Sequence, residues 1–180
     1  MQVVMEKKLR LNYLNMLVII ISELWVDLQY GVDKFAHLGS LQSKIGNTIA
    51  VLGTGVGDND IYPLENKKVF ERIIEEGGTI VSEYSVGTKA ERYHFPLRNR
   101  IISGLSKKVV VIEAGEKSGS LITADYALEQ GKDVYAVPGN IYSAKSVGTN
   151  KLIEEGAYIL NDFSKIFVWK KALLFYNFVI

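Results

Sequence analysis

From Asn47 onward the apolar positions alternate between near-continuous runs, as in buried strands, and the three- and four-residue spacing of a helix face. NTIAVLG (47–53) is a short apolar run ended by glycine. After the loop TGVGDNDIYP, Leu64, Val69, Ile73 and Ile74 recur at helical spacing, and Gly77 stands where a C-terminal cap belongs. TIVSE (79–83) predicts a strand and FPLRNRIISGLS (95–106) an amphipathic helix behind its proline. KVVVIEA (108–114) follows as strand, SLITADYALEQG (120–131) as a helix closed by Gly131, and DVYAVPG (133–139) as strand. NKLIEEG (150–156) predicts the last helix and leads into AYIL (157–160). Four consecutive strand–helix units with Val/Ile-rich strands indicate an α/β fold, a mostly parallel sheet with helices on both faces. In such sheets ligands bind outside the carboxyl ends of the strands, so the loops after IAVL, IVSE, VVVIEA and VYAV are expected to share one rim.

The two ends read differently. LNMLVIIISELW (14–25) holds an uncharged run of nine residues before Glu23, against the roughly 20 needed to span a bilayer, and reads as a buried strand. No small-residue cleavage site follows it, so it is not a signal peptide. The tail IFVWKKALLFYNFVI (166–180) is aromatic and apolar without turn residues; it reads as a last strand or helix on the core, and otherwise as a partner surface.

Composition narrows the function. A chain of 180 residues, 48% hydrophobic and 23% charged, supports one globular core. With a net charge of +1 there is no global field for nucleic acid or membrane, so an anion site must be a local cluster. The absence of cysteine excludes disulfides, thiolate metal sites and a cysteine nucleophile, and fits a cytoplasmic chain.

The clusters lie in the predicted rim loops. GTGVGD (53–58) has G-x-G-x-G spacing with the next helix several residues on, which is not the dinucleotide fingerprint. In GEKSGSLITAD, Ser118, Gly119 and Ser120 precede a helix carrying Thr123, an arrangement that suits a phosphate or a plain helix cap. VPGNIYSAKSVGTN is a long loop with Gly139, Asn140, Lys145, Ser146, Gly148 and Asn150, read as a functional loop or a surface excursion. ERYHFPLRNR (91–100) carries Arg92, Arg98 and Arg100, a histidine, and Tyr93 and Phe95, with no acid after Glu91. Arginine offers bidentate donors to phosphate and aromatic rings stack unpaired bases, so the cluster points to single-stranded nucleic acid; the competing reading pairs the arginines with Glu83 or Glu113 and buries Phe95. Asp33 and His37, four apart, read as a helix cap and an isolated histidine, because no second ligand pair accompanies them. With two histidines and neither H-E-x-x-H nor G-x-S-x-G, no catalytic set and no metal or cofactor site is evident.

Taken in order and spacing, GVDKFAHLGSL, TIAVLGTGV…IYPLEN, GTIVSEY, FPLRNRIISGLS, VVVIEAGEKSGSLITADYALEQGKDVYAVPGN and SVGTNKLIEEGA resemble the DNA-processing protein A family (DprA, also called Smf) from about Gly31 to Asp162. The resemblance implies a Rossmann-like domain that binds single-stranded DNA without catalysis, works with a RecA-type recombinase in natural transformation, and forms homodimers. It also implies that Arg92 and Phe95 belong to the DNA pocket, with Arg98, Asn99 and Arg100 of the RNR segment, Ser118 to Ser120 and Thr123, and Gly139, Asn140, Gly148 and Asn150 around it. The expected organisation is a divergent or truncated N-terminal segment (1–30), the Rossmann-like domain (31–162) and an apolar tail (163–180). The family's upstream G-x-R loop has no match before Gly31, where SELWVDLQYGVD stands instead.

Two other readings compete. Related Rossmann-like phosphoribohydrolases use a P-G-G-x-G-T-x-x-E pattern, and here Ala124 stands where the glutamate would follow, leaving Glu113 or Asp125 as substitutes. An inactive remnant of the family is the third.

Overall fold

The computed structural model describes residues 23–27, 32–42, 47–162 and 177–179. The chain falls into two compact units, Met1–Ala90 and Glu91–Ile180.

In the first unit β1 (Glu23–Val26), α1 (Val32–Gln42), β2 (Asn47–Leu52), a 3-10 turn (Leu64–Asn66), α2 (Lys67–Glu75) and β3 (Thr79–Ser82) follow one another. The strands lie in the order β3-β2-β1, all parallel, with Ala50 opposite both Val26 and Ile80. Ala50, Leu52, Ile61, Val69, Phe70 and Ile73 form the core, with Leu38, Leu41 and Ile80 packed against it. Of the four α2-region positions expected inside, Val69 and Ile73 are buried while Leu64 and Ile74 are exposed. Leu64 belongs to the 3-10 turn and not to the α-helix, and the buried face continues through Phe70 instead. Gly77 takes φ +84°, the left-handed conformation a helix stop requires and other residues rarely adopt.

His37 on α1 is fully buried. Its Nε2 lies 3.0 Å from the Asp27 carbonyl, which only accepts, so Nε2 carries the proton; Nδ1, 2.7 Å from Thr48 Oγ1, then accepts from that hydroxyl. Burial pushes its pKa down from 6.5 to about 4, opposed by the carbonyl. Asp33 sits one residue inside α1 and is not its cap. The glycine loop after β2 closes on Asp60, whose Oδ2 accepts from the N–H of Gly57 at 3.1 Å and of Gly87 at 2.7 Å. A Cβ on Gly55 would stand 2.5 Å from that oxygen, so a close approach requires glycine there.

In the second unit α3 (His94–Leu105), β4 (Lys108–Val111), α4 (Gly119–Glu129), β5 (Asp133–Ala136), α5 (Val147–Glu154), β6 (Tyr158–Ile159) and β7 (Asn177–Val179) are arranged with strands in the order β7-β4-β5-β6, again all parallel. The stretch Asn177–Val179 of the apolar tail is therefore a strand, paired with Lys108 and Val109 of β4. Residues 163–176, like most of the N-terminal segment, lie outside the described residues. Val109, Val110, Val111, Val134 and Ala136 supply the buried strand face expected of a parallel sheet covered by helices. The architecture is the α/β, Rossmann-like one read from the sequence, with helices starting earlier than their apolar pattern: α3 begins at His94, because Pro96 is tolerated in a first turn, and α5 at Val147. Among the described residues no helix is long and apolar enough to cross a membrane.

Candidate nucleic-acid interface

The second unit brings the RNR helix, the SGS loop and the PGN loop to one end. α3 and α4 both run against the direction of the strands, so their N-termini stand at the rim formed by the carboxyl ends of β4 and β5.

The arginine helix divides its charges between two faces. His94, Arg98 and Ile102 are spaced by four, Asn99 and Ser103 likewise, and all five are buried. Arg98 is 1% exposed, where a surface phosphate contact was expected. Its Nε donates to Asn99 Oδ1 at 3.2 Å, and its guanidinium lies 5.7 Å from the centroid of the half-buried Phe95 ring. A buried guanidinium is tolerated only with its donors engaged. Arg98 thus holds Phe95 and Asn99 from below. Asn99 in turn donates through Nδ2 to the carbonyl of Gly119 at 3.3 Å, tying α3 to the first residue of α4.

Arg92 and Arg100 are on the surface. Tyr93, 63% exposed, sets its ring at 76° to that of His94, with centroids 4.5 Å apart. Exposed Arg92 and Tyr93 just ahead of α3, and the partly exposed Phe95 in its first turn, therefore bring one cation and two rings to the start of that helix. Ile102 was the signal for which arginine turns inward: Arg98 is four residues from it, on the same helix face, whereas Arg100 is two residues away.

Ser118 is the N-cap of α4. Its Oγ accepts from the Ser120 N–H at 3.4 Å and shares a 2.8 Å hydrogen bond with Ser120 Oγ. Capping and an open rim coexist here, because a helix start has more free N–H groups than one hydroxyl can satisfy. Gly119 is exposed; Thr123 is buried with Ala124 and Ala127 along the inner face of α4.

The PGN loop is held by side chains of its own segment. Asn150 Oδ1 accepts from the Gly139 N–H at 3.1 Å and Asn150 Nδ2 donates to the Gly139 carbonyl at 3.0 Å. A Cβ on Gly139 would fall within 3 Å of the Ser146 side chain, so glycine is needed for this approach. Asn140 is exposed and caps its own turn by accepting from the Tyr142 N–H at 2.9 Å. Gly148 is buried at the start of α5. Of the carboxylates nominated for hydrolysis, Glu113 lies 3.9 Å from Lys145 and Asp125 is on the exposed face of α4. Among the described residues no group of acidic and histidine side chains could hold a metal ion.

A family model described as DNA recombination-mediator protein A matches residues 5–169. The chain belongs to this DNA-processing protein A family. The match begins well before Gly31 and so takes in much of the segment read as divergent. Protein Smf of Escherichia coli is 46% identical over 132 residues, and the DprA of Streptococcus pneumoniae is 45% identical over the same length. Those stretches are 73% of this chain but 34% and 45% of the relatives, so the chain spans about a third and just under half of these two proteins. The solved structure of the Streptococcus pneumoniae DprA superposes with a TM-score of 0.79 at 37% identity, covering 91% of this chain and 58% of that one. The Helicobacter pylori DprA, solved for its single-stranded DNA binding mode, superposes with a TM-score of 0.77 at 28% identity over 89% of this chain and 71% of that one.

Proposed function

We propose that this chain binds single-stranded DNA across the rim of its second unit, without catalysis, and acts in the cytoplasm as a homodimer with a RecA-type recombinase. The observation that carries the DNA reading is the grouping of exposed Arg92 and Tyr93 with partly exposed Phe95 at the start of α3, the helix that Asn99 ties to the first residue of α4. A cation and helix-start N–H groups suit phosphates, and rings suit bases that a duplex would keep stacked. The single-stranded DNA binding of the Helicobacter pylori relative supports the same substrate. Arg100, Asn140 and Asn150 are the further surface or half-surface contacts in this reading, while Arg98, Asn99, Thr123 and Gly148 shape the rim from inside. Recombinase and dimer partners rest on the family alone.

The test is fluorescence anisotropy of labelled oligo-dT with the parent chain and its Arg92→Ala variant between about 50 and 200 mM salt. The parent is expected to bind with a negative log–log salt slope, and loss of one phosphate contact flattens that slope by roughly one unit. A parent chain that fails to bind at low salt ends the DNA reading for this chain.

A further inference from the structure

Between β5 and α5 the chain makes a tightly bonded loop that leaves two large apolar side chains in solvent. Ile141 is 76% exposed and Tyr142 is 90% exposed. Exposure of this kind usually goes with a loose loop, but here the backbone is pinned at several points. The Tyr142 N–H donates to Asn140 Oδ1, and the Ser143 N–H to the Asn140 carbonyl, each at 2.9 Å. The Ser146 N–H bonds the Ser143 carbonyl and the Ala114 N–H bonds the Lys145 carbonyl, both at 2.9 Å, fastening the loop to the segment that follows β4. The Asn150 side chain fixes its first residues at Gly139.

We infer that Tyr142 is a base-stacking residue, presented by this rigid loop to a nucleobase of the bound single strand, with Ile141 beside it. Three observations converge on that occupant. The ring is planar and almost wholly accessible, and its backbone is already fixed, so little conformational freedom is lost on contact. The loop leaves the carboxyl end of β5, at the rim where α4 begins, so a strand following the rim passes it. No acid occurs from Val134 to Ile153, and the two lysines of that stretch, largely in solvent, pair with acids outside it, Lys145 with Glu113 at 3.9 Å and Lys151 with Glu155 at 3.6 Å, so the segment itself carries no negative charge. A polyanion approaches such a segment without charge repulsion from it. An uncharged ring adds affinity to phosphate binding by stacking without adding to its salt dependence.

This inference rests on the single-stranded DNA reading above, and the experiment separates the two. Binding of oligo-dT and of an abasic strand of equal length is measured by anisotropy for the parent chain, Tyr142→Ala and Tyr142→Trp, with sedimentation velocity on each protein. Expected is a loss of roughly 5- to 150-fold in oligo-dT affinity for Tyr142→Ala with an unchanged salt slope, near-parent or tighter binding for Tyr142→Trp, and equal binding of the abasic strand by all three. Equal oligo-dT binding by parent and Tyr142→Ala overturns the stacking role and leaves DNA binding standing. A fall in mass for Tyr142→Ala assigns the ring to a contact between copies of the chain and also overturns it. A parent chain that binds neither strand at low salt overturns both readings together.

Discussion

Gly148 and Ala114 are in backbone contact: the Gly148 N–H donates to the Ala114 carbonyl at 2.8 Å, and a Cβ at position 148 would lie 2.7 Å from the Ala114 Cβ. That approach seats the start of α5 against the loop after β4. The Gly115 carbonyl, 2.7 Å from the same point, is also backbone and cannot rotate away. Gly148→Ala is expected to destabilise the chain by about 1–3 kcal/mol through overpacking, read as a lower urea midpoint with an unchanged m-value. An unchanged midpoint would mean that α5 shifts freely against β4, contrary to the bonding seen here.

Asn150 is expected to matter through the two hydrogen bonds its amide makes to Gly139. Asn150→Asp keeps an oxygen for the Gly139 N–H but removes the donor to the Gly139 carbonyl and places an anion at the rim. Stability should fall by about 1 kcal/mol and oligo-dT affinity should fall as well, more at low salt than at high. Parallel urea titrations and anisotropy read the two effects separately; a variant with parent-like DNA affinity would remove Asn150 from the interface.

The two arginines of the same motif are expected to behave in opposite ways. Arg98→Ala empties a buried site and leaves Asn99 Oδ1 without that donor, with an expected loss of roughly 3 kcal/mol of stability. Arg92 is exposed, and Arg92→Ala should move stability by less than about 0.5 kcal/mol while weakening DNA binding. Thermal melts of both variants decide it. A stable Arg98→Ala protein that has lost DNA binding would return Arg98 to the set of direct contacts.

Protonation of His37 opposes folding. Its folded-state pKa is pushed down from 6.5 to about 4, so between those values the unfolded chain binds the extra proton. Stability from this residue is therefore complete above about pH 6.5, declines as pH falls, and is fully lost by about pH 4, with a total on the order of 3 kcal/mol. Replacing the imidazole removes that titration: His37→Gln should show a flatter stability profile between pH 7 and pH 4 than the parent, measured by urea unfolding at several pH values. Parallel profiles for the two proteins would show that His37 is not neutral when folded.

Much of this architecture was legible in one dimension. Val/Ile runs ended by glycine announced the parallel strands, and the stops at Gly77 and Gly131 were readable because a positive φ falls most cheaply on glycine. The rim was legible too, since the strand–helix alternation already places the SGS and PGN loops at the carboxyl ends of β4 and β5. Tertiary packing decided which side chains within those loops look outward. Arg98 reads as a surface charge, but α3 turns it inward with Ile102. Asp60 reads as one more polar loop residue until the amides of Gly57 and Gly87 are seen to converge on it. The stretch around Tyr142 reads as a functional loop or a surface excursion until its hydrogen bonds are seen to fix the backbone and leave the ring 90% exposed. The physical reason is common to all three cases. Periodicity and turn chemistry are set by neighbours along the chain, whereas burial of a polar group or exposure of an apolar one depends on partners distant in sequence, which only the folded chain brings together.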